Sequence, residues 1–346
     1  MPIRRPRTRL PRVHGSCSRN GSAPRCFPNS PRRPVERTVQ PFGTLMRGGA
    51  SATSRRSFCQ HHLELSMRRL AIAFLPLALS VSACTVESVS AEQQGAAIPA
   101  GAADVAARLQ SSPRHAEWAM IPAASGSRDS IAAWVVYPER RDNAPVVVVI
   151  HEIFGLSSWV KGVADQLAAD GFIAIAPDLL SIERGGATTD SMAYADARAM
   201  IQRVTPDKMN AMVAAVGQYG MNLPAAKKVY GVVGYCWGGT ASFNHAVFNA
   251  PGLKAAVVYY GSSPAAEEIA KVRIPVLGLY GENDQRVNAT IGRADSTLKA
   301  INGTFQQQVY AGAGHGFLRA QDQPANLEAT RRAWPETLRW FRRYLN

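Results

Sequence analysis

Val229-Tyr230-Gly231-Val232-Val233-Gly234-Tyr235-Cys236-Trp237-Gly238-Gly239 is the stretch that decides the fold. Its first five residues form an apolar, β-favouring run, and a glycine-bracketed turn and a helix-forming stretch follow. The bracketed residues have the layout of a nucleophile elbow, G-x-S-x-G, with cysteine in place of serine. In such a turn the nucleophile's backbone is strained, and small neighbours let strand and helix approach closely around it. The thiol is then held at a helix N-terminus, where the dipole favours thiolate and backbone N–H groups can hold an oxyanion. The stretch therefore points to acyl transfer at a cysteine.

Working outward, strand-like and helix-like stretches alternate. Val146-Val147-Val148-Val149-Ile150 is continuous apolar β-branched sequence, as expected of a central strand buried on both faces. Further strands are expected at 131–137, 172–176, 255–260, 276–280 and 305–310. Helices are expected at 160–169, 191–217, 238–248, 288–301 and 327–345. This rhythm implies an α/β fold with a mostly parallel, doubly wound sheet flanked by helices. Ligands in such sheets bind beyond the carboxyl ends of the strands. Residues 111–346 have the length of one such domain.

Two further residues follow Cys236 in the order nucleophile, acid, histidine, which is the order of the α/β-hydrolase fold. Asp284 comes just after the 276–280 strand, and His315 just after the 305–310 strand. His315 is the expected general acid/base, and Asp284 orients its ring. The turn His151-Glu152-Ile153-Phe154-Gly155 directly follows the central strand. In this fold that turn supplies one oxyanion N–H, and the residue after the nucleophile supplies the other. Here those are the amides of Ile153 and Trp237. An H-x-x-x-H zinc cluster is absent from the domain sequence, so no metal and no cofactor are expected.

Taken together, these residues resemble the dienelactone hydrolase family over roughly residues 115–345. The likeness rests on Glu152 with Ile153-Phe154-Gly155, Pro177-Asp178-Leu179, Gly234-Tyr235-Cys236-Trp237-Gly238-Gly239, Tyr259-Tyr260-Gly261, Asp284, and Gly314-His315 with Phe317. The resemblance implies that the cysteine attacks a lactone or ester carbonyl through a Cys-His-Asp triad and a covalent acyl-enzyme. It implies that Glu152 takes the thiol proton when substrate arrives. It also implies that arginines hold a substrate carboxylate: Arg319, four residues after His315, and Arg184, at a shifted spacing. Tyr259 is expected among the substrate-binding residues. Two alternatives stay open: a broad carboxylesterase with no carboxylate preference, and a non-catalytic envelope binding lipoprotein.

The front of the chain reads differently. The net charge of +14 would fit a nucleic-acid binder, but residues 1–66 alone carry +11, from 13 Arg against Glu36 and Glu64. Everything from Met67 onward nets only +3, so no nucleic-acid partner is expected. Residues 1–66, rich in Pro, Ser and Gly, read as a non-native or disordered basic extension. Met67-Arg68-Arg69, the apolar run 70–81 and Ser82-Ala83-Cys84 read as a lipoprotein signal peptide over 67–83. Cys84 is then the lipidated residue, and 84–110 a flexible tether. The expected product is an exported monomer on the periplasmic side. Its membrane contact is the lipid anchor, in the outer membrane, and its partner is a small ester or lactone. Cys236 is the one cysteine that such a mature body retains.

Overall fold

The computed structural model describes residues 97–124, 126–140 and 142–346. Residues 1–66, the signal segment 67–83 and Cys84 lie outside the described residues. The chain enters through a short helix α1 (Val105–Gln110), followed by strands β1 (Ala116–Pro122), β2 (Ser130–Val136) and β3 (Ala144–Ile150). Helix α2 (Ser158–Ala169), strand β4 (Ile173–Pro177) and helices α3 (Ser181–Arg184), α4 (Tyr194–Ile201) and α5 (Pro206–Asn222) come next. Strand β5 (Ala226–Tyr235) leads into α6 (Trp237–Phe248), then β6 (Leu253–Tyr259), α7 (Ala266–Ile269) and β7 (Val276–Gly281). Helices α8 (Gln285–Asn288) and α9 (Ile291–Ala300), strand β8 (Phe305–Tyr310) and a long α10 (Pro324–Leu345) complete the domain.

The eight strands form one sheet in the order β1-β2-β4-β3-β5-β6-β7-β8. From β4 to β8 every pairing is parallel, whereas β2 runs antiparallel to both β1 and β4. Every residue of β3 is buried, and successive side chains enter opposite cores. Val146, Val148 and Ile150 join the layer containing Met209, Val213 and Val216 of α5. Val147 and Val149 join the layer containing Val160, Val163 and Leu167 of α2 and Trp334, Leu338 and Phe341 of α10. A strand covered on both faces must be apolar at every position, because each face removes its side chains from water. Each such valine contributes about 1.5–3 kcal/mol of burial. This is the doubly wound α/β sheet expected from the sequence.

Local chemistry explains the differences from the expected elements. The region 191–217 is two helices, because Pro206 cannot continue α4. Pro206 instead opens α5, and the Thr205 hydroxyl caps that helix by accepting from the Lys208 amide at 3.3 Å. Strand β1 was not expected, since Ile121 is its one fully buried side chain.

The described part of the tether, 97–110, is ordered against the domain. Val105 is buried where α1 crosses α2, and the crossing requires Gly162, whose added Cβ would lie 2.3 Å from a Val105 methyl. The Ala102 amide donates to the Arg319 carbonyl at 2.9 Å, and the Gln321 amide donates to the Pro99 carbonyl at 2.9 Å. The composition of 84–110 is that of a tether, but these contacts tie its last part down beside Arg319.

Candidate active site

Cys236 sits between β5 and α6 with φ 56° and ψ −115°. A positive φ is costly for any residue with a Cβ, and it persists only where the surroundings over-determine it. Here the Cys236 amide donates to the Tyr259 carbonyl at 3.1 Å. The start of α6 lies hard against the end of β3: a Cβ on Gly238 would come within 2.4 Å of the Ile150 and His151 carbonyl oxygens. That approach brings the Trp237 amide and the turn carrying Glu152 and Ile153 to the same place. The Trp237 amide is directed at the Cys236 sulfur and favours its thiolate. The Ile153 amide has no backbone acceptor among the described residues.

The sequence led us to expect a thiolate stabilised by the helix N-terminus. The balance in the fold runs the other way. Burial, then the nearby Glu152 charge, push the Cys236 thiol up to about 11, and the Trp237 amide and Arg286 offset only part of this. Glu152 is itself buried, and burial pushes its carboxyl up to about 7 against the opposing pull of Arg319. Arg319 Nε stands 3.4 Å from Glu152 Oε2, and the guanidinium lies over the Phe154 ring at 5.3 Å.

His315 and Asp284 form a direct pair, with His315 Nδ1 2.5 Å from Asp284 Oδ2. The loops that carry them are laced together: the Glu282 amide donates to the Tyr310 carbonyl at 3.0 Å, and the Asn283 amide to the Ala313 carbonyl at 2.9 Å. Asp284 is buried, whereas the His315 side chain is 34% exposed, so the ring can meet a ligand while its partner stays dry. With Nδ1 engaged, Nε2 is the ring's free proton-exchanging atom. Cys236 follows β5, Glu152 follows β3, Asp284 follows β7 and His315 follows β8, all strands of the parallel part of the sheet, so the four share its carboxyl edge.

Two expected substrate contacts are not placed for that role. The Arg184 guanidinium, at the exposed end of α3, donates to the Ala187 carbonyl of its own loop. Tyr259 is fully buried and shares a 2.7 Å hydrogen bond with the Thr337 hydroxyl of α10. Its side chain faces the core, and its contribution to the site is the carbonyl that holds the Cys236 amide.

Three supporting residues carried no role in the sequence reading. His151 is fully buried and stacks on Trp237, with ring centroids 5.5 Å apart. Its Nδ1–H donates to the Glu152 carbonyl at 2.5 Å, and its Nε2 accepts from the Leu179 amide at 3.1 Å. Burial holds it neutral, as this pairing requires. Asp178 accepts from the Thr188 amide at 2.5 Å, and Thr188 Oγ1 accepts from the Leu156 amide at 2.7 Å. Together they lock the turn that carries Glu152. The signal for His151 and Asp178 was their position at the ends of two buried strands, but spacing alone does not say which way they face.

A cavity of about 410 Å³ lies on the other side of Arg319, between α1, the start of α2 and residues 189–192. Phe154 and Arg319 line it, but Cys236, Asp284 and His315 do not. Arg319 is thus shared between this cavity and the group of residues around Glu152.

Comparison with known proteins agrees with this architecture. The dienelactone hydrolase family profile matches residues 131–345. A carboxymethylenebutenolidase homologue from Salmonella typhimurium is 31% identical over 233 residues, covering 62% of this chain and 84% of that one. One from Escherichia coli is 27% identical over 268 residues, covering 73% and 96%. The crystal structure of a dienelactone hydrolase homologue from Klebsiella pneumoniae superposes with a TM-score of 0.59 at 28% identity, covering 67% of this chain and 99% of that one. With the matched span reaching from β2 to the end of α10, the chain belongs to the dienelactone hydrolase family and is an α/β-hydrolase enzyme of that family.

Proposed function

We propose that the chain hydrolyses a carboxylic ester or lactone bearing a free carboxylate, through a thioester at Cys236. The observation that carries this reading is the strained Cys236 at the start of α6, on the same sheet edge as the His315–Asp284 pair. The resting thiol is protonated at neutral pH, because its affinity for the proton exceeds that of Glu152 by the difference between about 11 and about 7. Moving the proton to Glu152 in the empty site is uphill. A substrate carboxylate that engages Arg319 withdraws the guanidinium's attraction from Glu152. The carboxylate of Glu152 then becomes a stronger base beside the thiol.

In the first half-reaction the thiol proton passes to Glu152 as Sγ bonds to the carbonyl carbon. The Ile153 and Trp237 amides receive the oxyanion. The C–O bond breaks, and the proton taken up by Glu152 passes by way of His315 to the leaving oxygen, so that both groups return to their starting forms. In the second, His315 takes a proton from water as it attacks the thioester, the C–S bond breaks, and His315 returns that proton to the departing thiolate. Asp284 holds the ring and steadies its cationic form throughout.

The test is a pair of chromogenic esters, mono-p-nitrophenyl succinate and its neutral methyl ester. Arg319→Ala is expected to lower kcat/KM for the anionic ester about 100-fold, as for loss of a charge-assisted contact of about 2–3 kcal/mol. The neutral ester should not fall in parallel, because it makes no contact with Arg319 and Glu152 without that cation is already the stronger base. Equal effects on both esters would remove the carboxylate preference from this reading.

A further inference from the structure

Tyr260 is the residue at the site whose conformation is least expected. Its backbone lies at φ 40°, in the left-handed region that a bulky aromatic residue rarely enters. The chain turns there because the Tyr260 amide still donates to the Leu279 carbonyl at 2.9 Å while β6 has ended at Tyr259. The result is that Tyr259 and Tyr260 point to different uses. The Tyr259 hydroxyl is bonded to Thr337, whereas the Tyr260 ring lies edge-on to His315, with centroids 5.2 Å apart. Strained backbone of this kind gathers where geometry serves a site.

The Tyr260 hydroxyl is fully buried and has no hydrogen-bond partner among the described residues, and the same holds for the hydroxyl of Tyr235. The two rings pack together, with centroids 6.2 Å apart. Leaving one buried hydroxyl without a partner is unfavourable, and two side by side call for an explanation. Glu152 supplies one. Its carboxylate has the Arg319 ion pair as its one polar contact among the described residues, and Arg319 Nε is too poorly aligned to count as hydrogen-bonded. Burial raises both phenols, the charge of Glu152 adds to the shift on each, and the charge of Cys236 also raises Tyr260. The start of α6 also packs on both segments: a Cβ on Gly238 would lie 2.4 Å from the His151 carbonyl oxygen and one on Gly239 2.4 Å from the Tyr259 carbonyl oxygen, so a buried carboxylate short of donors and two buried donors short of acceptors flank one turn.

We propose that the Tyr260 hydroxyl, backed by Tyr235, is the hydrogen-bond donor that receives the Glu152 carboxylate when it leaves Arg319, making Tyr260 a positioning residue for proton transfer from Cys236. The inference rests on the thioester reading above. No atom of Tyr260 is transferred: the thiol proton goes to a Glu152 oxygen, Sγ bonds to carbon, and the phenol keeps its own proton. A donor held to the carboxylate favours its ionised form, so removing it makes Glu152 harder to ionise in the substrate complex. The other charged and titratable groups around this pair are Arg319 on the Glu152 side and His315, Tyr259 and Cys236 on the Tyr260 side. Arg286 and Asp284 act on the thiol itself.

The experiment is the pH dependence of kcat and of kcat/KM for mono-p-nitrophenyl succinate in wild type, Tyr260→Phe and Tyr235→Phe. Phenylalanine keeps each ring in place and removes a hydroxyl that has no hydrogen-bond partner among the described residues, so both variants are expected to melt no lower than wild type. In Tyr260→Phe the acid limb of kcat moves up by about one pH unit, as expected for a lost donor to a carboxylate. The acid limb of kcat/KM, which reports the free enzyme, stays in place. Tyr235→Phe moves the kcat limb in the same direction by less, and it tests the proposal by itself if Tyr260→Phe does not fold. Acid limbs that superimpose on wild type, with wild type active, would overturn the role of the phenols while leaving the hydrolase reading intact. A wild-type enzyme inactive on this ester and on its neutral analogue would overturn both.

Discussion

Cys236→Ala is expected to reduce kcat on a chromogenic ester by about 10⁴-fold or more, the scale seen when a nucleophile is removed from a residue set that acts as a unit. The size of the effect follows from the geometry. His315 is aimed by Asp284 at 2.5 Å, and the close approach of α6 to β3 brings the Trp237 amide to the turn that carries Ile153. Without Sγ, those groups can only polarise a bound ester for attack by water. The substitution keeps the Cβ and the φ of 56°, so the turn should neither relax nor collapse. Circular dichroism and the melting temperature are expected to match wild type within a few degrees. Cys236→Ser should also be slow, because Glu152 at about 7 is too weak a base for an alcohol whose proton is held far more tightly than that of a thiol.

The second large effect is at Glu152, and it takes opposite signs in activity and in stability. Glu152→Gln removes the proposed proton acceptor and should lower kcat by about 10²–10⁴-fold. Ionisation of Glu152 centred near 7 also predicts that wild-type kcat/KM rises with pH through about 7 on its acid side. For stability, the folded carboxyl titrates above its ordinary value of 4.5, because burial disfavours the charge. Below the unfolded value both states are protonated and the full contribution is present. It is lost progressively as pH rises through the folded value near 7, because the native state must then hold a buried charge. The shift corresponds to about 3 kcal/mol at pH 8. Glu152→Gln should therefore be more stable than wild type at pH 8 by up to that amount and nearly equal to it at pH 4. Urea unfolding at the two pH values measures the difference. A variant that is less stable at pH 8 would show that Glu152 is not held at a cost.

How far the sequence reached can be judged residue by residue. The run 146–150 and the elbow at 234–239 were legible because burial on both faces and a close strand–helix approach demand particular residue types. The order of Cys236, Asp284 and His315 was legible because each follows a strand. Strand β1 was hidden, since an edge strand with one buried residue has no apolar pattern to read. The docking of α1 was hidden because it rests on Val105, Gly162 and a few backbone groups rather than on composition.

The site departed from expectation where orientation matters more than position. In Tyr259-Tyr260-Gly261 the sequence gives no means to tell which phenol faces the core. The answer depends on where β6 ends and on a φ of 40° at Tyr260. Arg184 has the charge for binding a carboxylate, but its loop turns the guanidinium back onto Ala187. Cys236 sits at a helix N-terminus, yet burial and Glu152 outweigh the amide of Trp237. Spacing places groups at a sheet edge, but it does not determine the balance of desolvation against local dipoles there.

The central claim is that the reaction passes through a thioester on Cys236. It is tested most directly by acid-quenching wild-type enzyme within milliseconds of mixing with mono-p-nitrophenyl succinate and measuring the mass of the peptide that contains Cys236. A succinyl adduct is expected on that peptide: it appears with the first burst of nitrophenol, decays with turnover, and is absent from Cys236→Ala. Steady hydrolysis by wild type with no adduct on that peptide, accompanied by undiminished hydrolysis in Cys236→Ala, would contradict it.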